Sequence, residues 1–245
     1  MRPVSRAVKP PPPQNKILAA LPSKEYQRLL PHLTHVSLGI GETLYQTEDS
    51  IKHVYFPNWG IVSLVTHLKD GLSVEVGLIG KEGMVGLSVA LGDDVSQNHA
   101  IVQIADGAMR IGTGQLKKEL KRGGELQGLL LRYSLVLLKQ VSQTAACNRN
   151  HKLGERLARW LLLCQDRIED DVLRLTQEFL AQMLGTRRSR VSEAAIILQN
   201  AGLIRYSRGI ITILDRDGLE EFVCECYEIV RAESERLFGS QTPTG

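Results

Sequence analysis

Between Leu175 and Ile204 two short amphipathic segments flank a glycine, and this arrangement leaves few choices of fold. Leu180, Ala181 and Leu184 share one face of the first helical segment; Val191, Ala194, Ala195 and Leu198 share one face of the second. The two faces can pack together once the chain reverses at Gly185, where a residue without a Cβ takes the left-handed conformation cheaply. The second segment opens with Thr186, Arg187, Arg188, Ser189 and Arg190. Cations at a helix start oppose the macrodipole, so a sequence selected for stability alone would place acids there. Free backbone N–H groups beside guanidinium groups suit phosphates and guanine edges.

The next residues extend this unit. Leu203–Tyr206 and Ile210–Ile213 flank Ser207, Arg208 and Gly209, which predicts a β-hairpin with a basic tip. Upstream, Leu153, Leu157, Trp160, Leu161 and Cys164 mark a helix, and Leu219 to Phe238 reads as a final amphipathic helix. From Val36 to Ile111 short β-type runs alternate with glycine-marked turns: Leu38–Tyr45, Val54–Val65, Ser73–Ile79 and His99–Ile104. That spacing predicts an antiparallel barrel or jelly roll. A small helix carrying Leu29, Leu30 and Leu33 precedes it. After Gly123 and Gly124 the period becomes helical, with Leu126, Leu130, Tyr133, Leu137, Val141 and Thr144 in one stripe. The stripe can pack on its own barrel, and Leu129, Val136 and Leu138 broaden it enough to engage a second surface as well; pairing with a second copy of the chain is the preferred reading, a simple core helix the alternative.

The predicted class is therefore α+β, in five parts: a proline-rich disordered arm (1–16), a sensor-like β-roll (17–122), a dimerisation helix (123–149), a winged helix-turn-helix (150–218), and a C-terminal helix and tail (219–245). A formal charge of +3 says little, but Arg187, Arg188, Arg190, Arg205 and Arg208 concentrate the positive charge locally. No apolar run reaches the about 20 residues a bilayer span requires, and no signal-peptide pattern follows the N-terminal prolines, so a soluble cytoplasmic protein is expected. Cys147, Cys164, Cys224 and Cys226 lack C-x-x-C spacing and are expected as buried thiols. Cys224 and Cys226, two apart on one predicted helix, would point in different directions, so no metal site is expected. No G-x-S-x-G, H-E-x-x-H or P-loop pattern is present, and no catalytic residue is assigned.

Taken in order, β-roll, long helix and winged helix-turn-helix resemble the Crp/Fnr family of bacterial transcription regulators, typified by the cyclic-AMP receptor protein and Fnr. The resemblance runs from about Leu18 to Asp217 and is most specific where Leu175–Glu178 leads into the first helix and Leu198–Ile204 leads into the wing. Gly41–Glu42 and Tyr55–Gly60 resemble the family's early strand turns. It implies a homodimer on a two-fold symmetric site in double-stranded DNA, with RNA polymerase as a further partner. It also implies that Arg188, Ser189, Ser192 and Glu193 face base edges, with Arg188 on guanine. Thr176, Gln177, Thr186, Arg187, Arg190 and Arg208 would hold phosphates.

The ligand side departs from the family. Members that bind cyclic nucleotides hold the phosphate with an arginine and a small hydroxyl residue; this chain offers Asn98 and His99 there, and no Lys or Arg from Glu82 to Met109. A buried phosphate needs compensating charge, so a cyclic nucleotide is not expected and the effector is unknown. Its pocket is placed at Gly83, Met84, Val85, Asn98 and His99, and the glycines Gly80, Gly83 and Gly86 leave open a backbone nest or a plain sheet turn. No cysteine precedes Cys147, so the N-terminal iron–sulfur ligands of Fnr are missing. His32, His35, His53, His67 and His99 are scattered over strands and loops and are read as ordinary residues rather than haem ligands. An alternative is an effector-binding subunit of an enzyme or channel, which would keep the roll but require the phosphate clasp.

Overall fold

The computed structural model describes residues 13–69 and 71–239. Most of the expected proline arm, residues 1–12, lies outside the described residues, but its end is not an arm. Asn15 is fully buried and caps α1 (Lys16–Ala19), accepting from Ile17 N and Leu18 N. Its amide donates to the carbonyls of Pro57 (3.0 Å) and Gly83 (2.9 Å), which pins the chain to the roll. The helix α2 (Ser23–Leu29) follows.

Seven strands then build the roll: β1 (Thr34–Leu38), β2 (Thr43–Tyr45), β3 (His53–Pro57), β4 (Ile61–His67), β5 (Ser73–Ile79), β6 (His99–Ile104) and β7 (Asp106–Gly112). They form two antiparallel sheets, ordered β1-β7-β3 and β2-β6-β4-β5. Two of the predicted runs divide: 38–45 breaks at Gly41 (φ +78°), and 54–65 breaks at Asn58–Gly60. Between the sheets Val54, Phe56, Val62, Ile79, Val102 and Ile111 are buried to within 1%.

After α3 (Thr113–Leu120), the long helix α4 (Glu125–Asn150) crosses the roll. Its stripe does not leave the assigned face free. Leu126, Leu130 and Tyr133 are at most 2% exposed because they close the roll's own core, and Thr144 is buried against Arg159. Of the residues that broaden the stripe, Leu129 and Val136 are buried too, whereas Leu138 stays in solvent with Leu131 and Leu135, 48–61% exposed.

Beyond His151 the chain forms α5 (Leu153–Ile168), β8 (Val172–Arg174), α6 (Gln177–Met183), α7 (Arg188–Asn200), β9 (Ile204–Ser207), β10 (Ile210–Ile213), α8 (Arg216–Phe222) and α9 (Cys226–Gly239). The wing is a three-stranded sheet, β8-β10-β9. The predicted boundary at 218/219 falls inside α8, whose Leu219 is fully buried in the same core as α5, α6 and α7. The predicted continuous helix from Leu219 to Phe238 is two helices, broken at Val223–Glu225. α9 returns along α4, bringing Cys226 against Gln143 at one end, while at the other Phe238 packs against the core that α4 closes. Among the described residues no helix is long and apolar enough to cross a membrane.

Candidate nucleic-acid interface

The start of α7 is the cationic edge at which the sequence places the candidate interface. Its N-cap, Arg187, makes no side-chain cap bond, and no acid occupies the first turn, so the first backbone N–H groups are left without a side-chain acceptor. Gly185 takes φ +58°, as the turn requires, and Thr186 N closes it on Ala181 O at 2.9 Å. Val191, Ala194, Ala195 and Leu198 are buried to 3% or less against α5 and α6, which fixes the opposite face of α7 outward. That face presents Arg188, Ser189 and Glu193 as exposed residues and Ser192 at half-burial. Arg188 Nε donates to Gln177 Oε1 at 3.3 Å, and Ser192 Oγ donates to Arg188 O at 3.2 Å. Ile196, 52% exposed, lies one turn beyond Ser192 and escapes the sequence reading; its four-residue spacing from Ser192 is the available signal.

A groove of 510 Å³ joins this helix start to the wing, lined by Thr176, Gln177, Glu178, Arg188, Tyr206, Arg208 and Gly209. Thr176 caps α6 by accepting from Phe179 N at 3.2 Å. Arg208 stands at the hairpin tip with φ +49°, followed by Gly209 at +78°. An arginine in the left-handed region costs about 1 kcal/mol, so local stability does not account for a cation there. The structure thus brings Thr176, Gln177, Arg188 and Arg208 to one groove. Thr186 and Arg187 line an adjoining groove against Gly71–Ser73 of the roll, and Arg190 is exposed on α7.

The predicted effector residues do not converge in the same way. Met84 and Val85 are fully buried in the roll, and a Cβ on Gly83 would stand 2.0 Å from Tyr133 Oη of α4. Asn98 and His99 face elsewhere: Thr66 Oγ1 lies 3.2 Å from Asn98 Oδ1, and the His99 ring lies 3.0 Å from Thr43 Oγ1 and 3.1 Å from His67 Nε2. Gly80 and Gly83 have ordinary φ and serve close packing, not a nest; a Cβ on Gly80 would meet Arg167 at 2.8 Å. Gly80 N instead donates to Glu82 Oε1 at 3.2 Å, so an internal carboxylate takes that donor.

Buried polar ties connect the roll to the helix-turn-helix. Arg167 of α5 meets Glu82 at 2.9 Å, with both side chains under 9% exposed, and also Gln140 Oε1 at 3.0 Å. Trp160 Nε1 donates to Glu75 Oε1 at 3.2 Å, and Ser63 Oγ donates to Glu75 Oε2 at 2.7 Å. Burial pushes the Glu75 carboxyl up to about 7, partly offset by the Ser63 hydrogen bond and the Arg159 charge. A carboxyl raised in the folded state contributes stability that is complete below its ordinary value of 4.5 and is lost as pH rises through about 7. Glu75→Gln is expected to flatten that fall and to be more stable than the parent at pH 8 by up to about 3 kcal/mol, read from urea unfolding at a series of pH values. An unchanged pH dependence would show that Glu75 is ionised in its burial site.

Together these parts are a two-sheet roll, a long connecting helix and a winged helix-turn-helix with a cationic edge. Residues 155–222 match the Crp-like helix-turn-helix domain, and the chain carries that domain within a Crp/Fnr-type fold. The fold is similar to FixK2 from Bradyrhizobium japonicum (TM-score 0.68, 18% identity, 78% of this chain and 98% of that one). It is similar also to a crp/fnr-family transcriptional regulator from Eubacterium rectale (0.63, 18%, 82% and 94%). A third similar structure is the c-di-GMP responsive global regulator CLP of Xanthomonas campestris (0.63, 17%, 79% and 100%). No curated protein matches the sequence.

Proposed function

We propose that the chain is a sequence-specific, DNA-binding transcription regulator that acts as a homodimer on a two-fold symmetric site. The observation that carries this reading is the joint groove of α7 and the wing, where Arg188, Gln177, Thr176 and Arg208 gather around an uncapped helix start. On docking, Arg188 exchanges its bond to Gln177 for guanine O6 and N7, a pairing worth about 1–3 kcal/mol of discrimination. Ser189, Ser192 and Glu193 face neighbouring base edges; a carboxylate at Glu193 accepts from cytosine N4. Thr176, Gln177, Thr186, Arg187, Arg190 and Arg208 hold phosphates and set the register.

The exposed stripe of Leu131, Leu135 and Leu138, continued by Ser142 and Ala145 at alternating four- and three-residue steps, supplies the seam for a second copy. Two recognition helices related by that seam would enter successive major grooves, about 34 Å apart. The ties Glu75–Trp160 and Arg167–Glu82 give an effector in the roll a physical route to the reading helix. Such a regulator works in the cytoplasm, and at a promoter RNA polymerase is its natural partner.

The test contrasts two substitutions against one selected operator. Arg188→Ala is expected to cost about 1–3 kcal/mol of binding and to relax preference at one base pair per half-site. Arg208→Asn keeps a residue that tolerates the left-handed turn and is expected to weaken all duplexes alike. It should also reduce the log–log salt slope by about 0.9 for each phosphate left without its cation. If Arg188→Ala left both affinity and base preference unchanged, the docking of α7 would be refuted.

A further inference from the structure

The C-terminus of α4 and the break between α8 and α9 bring four metal-ligating side chains together. The Sγ atoms of Cys147, Cys224 and Cys226 and a ring nitrogen of His151 all lie within 4.8 Å of one another. We propose that these residues bind one zinc-class divalent cation, fixing the hinge between the long helix and the helix-turn-helix.

The geometry points to a single ion. A tetrahedral ion with Zn–S of about 2.3 Å and Zn–N of about 2.0–2.1 Å sets ligand-to-ligand edges of about 3.8 Å between sulfurs and about 3.6 Å between sulfur and nitrogen. Cys147 Sγ lies 3.6 Å from Cys224 Sγ, and Cys226 Sγ lies 3.4 Å from His151 Nδ1. A four-iron cluster places each ligand on a different iron and needs its ligands spread more widely. A disulfide would engage two thiols at about 2.05 Å and leave the third thiol and the imidazole unexplained.

The surrounding groups fit the same chemistry. His151 turns Nδ1 inward, while its Nε2 lies 3.4 Å from Glu225 Oε2, the carboxylate–histidine pairing that orients an imidazole toward a metal. Gln143 Nε2 donates to Cys226 Sγ at 3.1 Å, a bond that stabilises a thiolate. The three cysteines are at most 8% exposed and form a small cluster of their own, apart from the two large cores. Three soft sulfurs and one imidazole select zinc over hard cations, and four protein donors leave no open position, so the site is structural.

The ligands come from the parts that a hinge must hold. Cys147 belongs to the last turn of α4 and His151 is its C-cap, next to the start of α5. Cys224 lies in the break, and Cys226 starts α9. One ion therefore ties the long helix, the turn into the helix-turn-helix and the returning C-terminal helix.

The full-length protein, reduced and stripped of metal by chelator, is titrated anaerobically with Co(II) and then with Zn(II). Expected are one equivalent of Co(II) per chain, with thiolate-to-cobalt charge-transfer bands and strong tetrahedral visible bands, all displaced by one equivalent of Zn(II). Cys226→Ser and Cys147→Ser should lose these bands, whereas Cys164→Ala, a buried cysteine outside the cluster, should keep them. Glu225→Gln should weaken Zn(II) binding by about 10- to 100-fold. The titration of the parent protein decides the matter even where a variant fails to fold. Absence of a thiolate–cobalt band, or iron with inorganic sulfide in the purified protein, would overturn the assignment.

Discussion

Replacing Arg167 with alanine is expected to destabilise the protein by about 3–5 kcal/mol, because it leaves the Glu82 carboxylate buried without a compensating charge. Arg167 is 8% exposed and Glu82 7%, and the guanidinium also donates to Leu163 O at 2.7 Å and to Gln140 Oε1 at 3.0 Å. Three elements lose their common tie at once: the loop after β5, α4 and α5. Pairing Arg167→Met with Glu82→Gln removes both charges and should recover much of the loss, since it is the orphaned ion that costs most. Urea unfolding of the single and double variants measures this directly. A loss below about 1 kcal/mol for Arg167→Ala would mean that water reaches the pair.

The second large effect is on assembly. Leu135→Glu with Leu138→Glu places two carboxylates on the proposed seam of α4, where both leucines lie more than half exposed. The isolated chain should fold as before, because neither side chain belongs to its core. Sedimentation should show a monomer at micromolar concentration, and affinity for a symmetric operator should fall by about 10²- to 10⁴-fold as the second half-site ceases to bind intramolecularly. A variant that remained dimeric would move the seam to another surface.

Particular residues explain why some of this is legible in sequence and some is not. The helix-turn-helix is legible because its signals are local: one glycine with positive φ, two narrow apolar faces and a cluster of arginines. The existence of α4 is equally plain, but not its orientation. Leucines occur on both sides of that helix, and periodicity alone does not say which side closes the roll, so Leu126, Leu130 and Tyr133 are assigned to pairing with a second copy and are found closing the roll's own core. Strand β7 leaves no sequence signal, although it pairs with both β1 and β3, because Asp106, Gly107, Arg110 and Gly112 interrupt any apolar run.

The cysteines depart furthest from expectation. A continuous helix would turn Cys224 and Cys226 apart, yet the chain breaks before Cys226 and both thiols face the end of α4. The ties Glu75–Trp160 and Glu82–Arg167 join residues 85 apart in sequence and leave no local trace. Nor does the proline-rich start announce that Asn15 is buried as a helix cap.

Selection of bound duplexes from a random pool by the purified full-length chain, with and without a mixture of cell metabolites, tests the central claim most directly. The account predicts enrichment of two-fold symmetric sequences whose half-sites lie about 10 base pairs apart, centre to centre, with binding that weakens steeply as salt rises. No enrichment at low salt under either condition would contradict it.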